Sequence, residues 1–207
     1  MLLGLEMKIL NETMKTFHLA LIVLMTGLLC VGNAVGQDEK KTESNAARIF
    51  EETLVQAKDR DVSTMGLLGF MYANGEGVIQ DDKEAVKWFR KAVDLGDAMA
   101  MYNLGVMYAK GKGVIEDDKE AVKWYRKAAE LGNELAMTHL GFMYVTGEGV
   151  IEDAVEAYAW INVTAENGQN QKTAAKLRDN IKKTMTPEQI AEGQKRSREI
   201  MKSISKN

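Results

Sequence analysis

The 207-residue chain contains one proline, one cysteine and two histidines. With so little proline, neither Pro-rich linkers nor a polyproline architecture is available. Few positions then interrupt a helix, where proline costs about 3 kcal/mol. A single cysteine excludes a disulfide framework and any thiolate metal cluster. It is Cys30, which lies in an apolar run near the N-terminus. His18 and His139 are the only histidines, so from residue 37 onward a histidine–cysteine metal site has nothing to be built from. Charge of one sign is also missing, since the net charge is −3. That argues against a nucleic-acid partner.

The longest apolar run, "LALIVLMTGLLCVG" (Leu19 to Gly32), falls short of the roughly 20 residues that span a bilayer. Preceded by Lys8 and Lys15 and followed by Ala34-Val35-Gly36, it reads as a secretory signal peptide over residues 1–36 cleaved before Gln37. The competing reading is a retained anchor, which alone would bring the protein to a membrane. The expected location is periplasmic or secreted.

What the chain does have is periodicity. The stretch "AKGKGVIEDDKEAVKWYRKAAELGN" (Ala109 to Asn133) opens with a Gly-x-Gly that invites comparison with a phosphate loop. The same pattern returns 36 residues earlier, from Ala73, and 36 later, from Val145. None of the copies is followed by Lys-Ser/Thr, and recurrence at a fixed period marks stacked supersecondary units. These glycines therefore belong to the fold.

In each copy a first helix (A) carries Leu68/Gly69/Met71/Tyr72 or its equivalents at 104–108 and 140–144. A second helix (B) carries Ala85/Trp88/Ala92, Ala121/Trp124/Ala128 or Ala157/Trp160/Thr164. Both sets lie on one stripe of a 3.6-residue helix. Gly69, Gly105 and Gly141 each cost about 1 kcal/mol in a helix interior, so a close crossing is expected there, with the Trp of helix B covering the notch. Gly75, Gly111 and Gly147 are placed to end helix A in the left-handed conformation. Val-Ile (Val78-Ile79 and equivalents) is expected to pin the loop to the core. Asp81/Glu84, Asp117/Glu120 and Asp153/Glu156 form an Asp-x-x-Glu pattern expected to act as a reciprocal capping box, which makes these acids poor catalytic candidates.

This pattern resembles the Sel-one-like repeat family, a relative of the tetratricopeptide repeats, over about residues 61–170. The second copy, "AMYNLGVMYAKGKGVIEDDKEAVKWYRKAAELGN", follows it almost throughout. The third departs, with Ala154 in place of the usual second aspartate and Asn162-Val163-Thr164 in place of Arg-Lys-Ala. The resemblance implies an all-α fold, a right-handed α-solenoid of three helical hairpins, and a non-catalytic surface for adaptor or scaffold work. Some secreted, cysteine-rich members have been linked to beta-lactam binding or hydrolysis. They rely on a paired cysteine in each hairpin, which residues 37–207 lack.

Flanking segments complete the organisation. Residues 37–60 read as a polar linker followed by a capping helix from Ala46, with Ile49, Leu54 and Ala57 on its apolar stripe. Residues 171–207 read as two capping helices, one with Ala174, Leu177 and Ile181, the other opening at Thr186-Pro187-Glu188-Gln189. Residues 37–170 carry net charge −9 and residues 171–207 carry +6. The basic end suits a solvated outer face, or a contact with an anionic surface.

No cofactor or metal is expected. A catalytic or metal role for His139 is weighed against its holding the position of Leu67 and Asn103 in the other copies. The expected partner is a protein or peptide. Three helix-A positions vary between copies: Leu67, Asn103 and His139; Phe70, Val106 and Phe142; Asn74, Lys110 and Thr146. Their i, i+3, i+7 spacing sets them on one face beside the fixed Leu-Gly-Tyr stripe, where a concave groove is expected. The alternative for Phe70, Val106 and Phe142 is that they complete the packing between repeats.

Overall fold

The computed structural model describes residues 38–58, 61–168 and 171–206, so the signal-peptide reading lies outside the described residues. Nine helices and no strand occur among them: α1 (Asp38–Lys58), α2 (Val62–Asn74), α3 (Asp82–Asp94), α4 (Ala98–Ala109), α5 (Asp118–Glu130), α6 (Glu134–Thr146), α7 (Ala154–Asn167), α8 (Gln171–Lys182) and α9 (Pro187–Ile204). Three A–B hairpins, α2/α3, α4/α5 and α6/α7, pack in series as an α-solenoid. Two apolar clusters form its core, one around Leu68 and Leu104 and one around Leu140. Each of these leucines is fully buried, which stabilises by about 1.5–3 kcal/mol apiece.

The helix boundaries follow from local chemistry. Helices α2 and α6 end on Gly75 and Gly147, both at φ 73°, and α4 ends at Lys110 followed by Gly111 at φ 61°. Each helix B begins at an extended aspartate whose carboxylate accepts from first-turn amides: Asp81 from Glu84 N–H, Asp117 from Glu120 N–H, Asp153 from Glu156 N–H. The reciprocal half of the capping box is not made. The backbone N–H of Asp81, Asp117 and Asp153 already donates to the carbonyl of Tyr72, Tyr108 and Tyr144, at 3.0, 3.0 and 2.9 Å. Glu84 and Glu120 turn instead to Lys87 and Lys123, and Glu156 to Arg196. A complete capping box does open α9, between Thr186 and Gln189.

The notch at the helix-A glycine is real, but tryptophan does not cover it. A Cβ on Gly69, Gly105 or Gly141 would lie 2.5–2.7 Å from Phe89, Tyr125 or Ile161, each one residue past the Trp. Phe89 and Tyr125 are 2% exposed and Ile161 is fully buried. Trp88 and Trp124 are half-buried and pack against the core clusters, with the ammonium of Lys91 or Lys127 at 3.7 or 4.4 Å from the ring centroid. This is a cation–π arrangement over the part of the ring the core leaves open.

The second glycine of each loop serves a different contact. A side chain on Gly113 would run into the carbonyl of Asp82, and one on Gly149 into that of Asp118. On Gly77 it would meet the carbonyl of Ala46 in α1. These three contacts are spaced 36 residues apart, so α1 occupies the place of a helix B ahead of the first repeat. It contributes half a unit. The polar stretch expected to be a linker is helical from Asp38. Helix α1 buries Phe50, Thr53 and Ala57, while Ile49 of the expected apolar stripe is 47% exposed.

The departures of the third copy make a seat for the C-terminal helices. Both α8 and α9 pack on α7. Val163 replaces the lysine that stacks on Trp in the other copies, and Trp160 is 3% exposed with Ile200 of α9 buried in the same cluster. Asn162 donates to Ser197 Oγ at 3.1 Å and accepts from Arg178 at 3.3 Å. Arg196 Nε donates to Glu156 at 2.7 Å. Gly193 lets α9 approach the Tyr158 ring, which takes the place of Val86 and Val122. As expected, Ala174 and Ile181 face inward, and the lysines of α8 and α9 face solvent.

Candidate protein-interaction surface

The nine variable helix-A positions fall into two environments. Leu67, Asn74 and Lys110 are exposed, and the other six are half-buried. Phe70 and Val106 pack against the two core clusters, so part of their surface is structural. Between them the fixed tyrosines are engaged across repeats. Arg90 donates to Tyr108 Oη at 2.9 Å and Arg126 to Tyr144 Oη at 2.6 Å, each from one repeat to the next. The fixed stripe locks repeat to repeat, and the variable stripe beside it stays partly open.

His139 belongs to an aromatic cluster. Its ring stacks on Tyr125, with centroids 5.1 Å apart and planes 27° from parallel, and its Nε2 lies 3.2 Å from Tyr102 Oη. Burial pushes the Tyr102 phenol up to about 12 and raises Tyr125 as well, so both are neutral hydrogen-bonding groups over the ordinary pH range. Among the described residues no group of three His, Cys, Asp or Glu side chains could hold a metal ion. Tyr102 was not among the variable positions singled out from the sequence. Its own position reads Gly66, Tyr102, Thr138, as varied as the chosen ones, and a comparison of all helix-A positions would have found it.

Lys110 carries the only charge on the stripe. Although the residue is exposed, the loop around its ammonium, and then the charge of Lys112, hold its pKa below the usual lysine value. No carboxylate lies in ion-pair range of either lysine among the described residues. A partly desolvated cation next to a like charge is in want of an anion.

Comparison with known families decides what these hairpins are. The Sel1 repeat matches residues 63–97, 98–133 and 135–169, in register with the three hairpins. The chain belongs to the Sel1 repeat family. Sel1 repeat proteins generally serve as protein-interaction modules. Among solved structures, the chain is similar to a protective antigen present in uropathogenic Escherichia coli strains that displays this fold. Identity is 29% and the TM-score 0.67, over 76% of this chain and 34% of that one. It is also similar to a Sel1 repeat protein from Oxalobacter formigenes, at 29% identity and TM-score 0.55, over 69% of this chain and 53% of that one. A more distant likeness is cysteine-rich protein B of Helicobacter pylori, at 20% identity and TM-score 0.41. The chain thus spans about a third of the first and about half of the second. No curated protein matches it. Among the described residues no helix is long and apolar enough to cross a membrane.

Proposed function

We propose that this Sel1 repeat chain is an exported, non-catalytic adaptor that holds a protein or peptide segment along the helix-A face of its three repeats. One observation carries the reading. Leu67, Asn74, Asn103, Lys110, His139 and Thr146 differ in chemistry from copy to copy and stay partly open, whereas the Leu-Gly-Met stripe beside them is identical and buried. Packing between repeats is satisfied by one residue used three times. Variation beside it is what recognition of a particular segment needs, and an extended or helical segment laid across the A helices would meet each position in turn. Lys110, which has no ion-pair partner among the described residues, favours a segment with an acidic group near its middle. Export is supported by the apolar run Leu19–Gly32 and the Ala34-Val35-Gly36 that follows it.

Lys110→Glu combined with Asn103→Arg tests the reading. Helicity and melting should change little, because substitutions of this kind usually move stability by less than about 0.5 kcal/mol. Binding to the partner recovered with the wild-type protein from its envelope or secreted fraction should be lost, as followed by calorimetry with the purified pair. The same material should read Gln37, or a residue close to it, on N-terminal sequencing. A double variant that melts normally and binds as tightly as wild type removes the groove as the site.

A further inference from the structure

A second surface, away from the helix-A stripe, repeats with the same period. The residue expected to pin each A–B loop divides its work with its neighbour. Val78, Val114 and Val150 are half-buried, whereas Ile79, Ile115 and Ile151 are 89%, 89% and 88% exposed. One such isoleucine would be ordinary surface scatter. Three at equivalent positions are a built feature, because each loop is in backbone contact with the helix-B start of the repeat before it: the Gly113 loop lies on the first turn of α3, and the Gly149 loop on the first turn of α5. The isoleucines therefore line one continuous ridge at the loop edge.

The chemistry around the ridge is one-sided. Segments 76–84, 112–120 and 148–156, which hold the loops and the first turns of the B helices, carry net charges of −3, −2 and −4, or −2, −1 and −3 once Lys87, Lys123 and Arg196, the partners of Glu84, Glu120 and Glu156, are counted. Glu116 and Glu152 follow directly on Ile115 and Ile151 and are exposed. An anionic membrane surface or a nucleic acid would be repelled. A second copy docking edge to edge would set acid against acid.

Spacing narrows the occupant further. Helix α2 touches α4, and each helix B packs on the next helix A (α3 on α4, α5 on α6), so equivalent residues of successive repeats stand on the order of one interhelical distance apart, roughly 8–10 Å. On an α-helix, residues seven apart on one face are separated by about 10.5 Å. We infer that the isoleucine ridge docks a basic amphipathic helix of a partner protein, with an apolar residue every seventh position on Ile79, Ile115 and Ile151 and Lys or Arg beside them on the acidic flanks. This surface is distinct from the proposed groove and does not depend on it.

The test uses a synthetic, fluorescently labelled helix about three heptads long, with leucine at every seventh position and Lys/Arg around it. The comparison peptide has the same composition in scrambled order. Anisotropy titrations with the whole chain should show the heptad peptide binding and the scrambled one at least about tenfold weaker. Ile79→Ser/Ile115→Ser/Ile151→Ser together should weaken binding by about tenfold or more, with helicity and melting unchanged. Asn103→Arg in the groove should leave it unaltered. Three results would overturn the proposal: no binding of the heptad peptide, equal binding of the scrambled one, or equal binding by the triple variant. So would sedimentation showing that the wild type self-associates and the triple variant does not, because the ridge would then belong to a second copy.

Discussion

Tyr125→Ala should lower stability by about 3–5 kcal/mol, the range for removing a large aromatic from a core. Tyr125 is 2% exposed, fills the notch at Gly105 in the middle repeat and stacks on His139 from the repeat that follows. Its loss would empty a space bounded on several sides by helices that cannot all close on it. Trp124→Ala should cost less, about 1–3 kcal/mol, because that ring is only half-buried, packed against both core clusters with Lys127 over it. Denaturant unfolding of both variants measures the difference. A larger loss for Trp124→Ala than for Tyr125→Ala would mean that the packing described for the notch is wrong.

The second large effect is at Gly113. Its φ of 68° lies in the left-handed region, where an alanine costs roughly 1–2 kcal/mol. The added Cβ would also strike the Asp82 carbonyl, a backbone atom at the start of α3 that cannot swing aside. Gly113→Ala should therefore cost above about 3 kcal/mol and loosen the joint between the first and second repeats. Gly96→Ala is the control. Its φ is 88°, yet nothing lies within 4 Å of the new Cβ, so only the conformational cost should appear. Thermal melts of the two variants separate backbone strain from close approach, and equal losses would remove the Gly113 contact from the account.

The fold was readable because its determinants are local and repeated three times. Leu68, Gly69, Met71 and Tyr72 recur at a fixed period, and a helix-ending glycine or a capping aspartate acts within a few residues of itself. Which side chain fills the notch was not readable. Trp88 and Phe89 are only 100° apart on the helix, and the tryptophan is kept in every copy while its neighbour changes from Phe to Tyr to Ile. The tryptophan is kept for another contact, a lysine over the ring in two copies and α9 in the third. The extended pair Val78-Ile79 posed the same problem, since alternation says that one faces in without saying which. At the candidate surface, comparing copies found the open positions. It did not show that His139 would meet Tyr102 and Tyr125, a contact that joins two repeats and is set by the solenoid's stacking.

The most direct measurement of the central claim is site-specific photo-cross-linking in the native host. A benzophenone side chain placed at Asn74, on the variable stripe, should form one discrete adduct with the partner. The same group at Lys123, exposed on the outer side of α5, should form none. Adding Lys110→Glu and Asn103→Arg should abolish the adduct from position 74 while the protein remains folded and exported. Adducts from position 123 alone, or an adduct from position 74 that survives the double substitution, would contradict binding along the helix-A face.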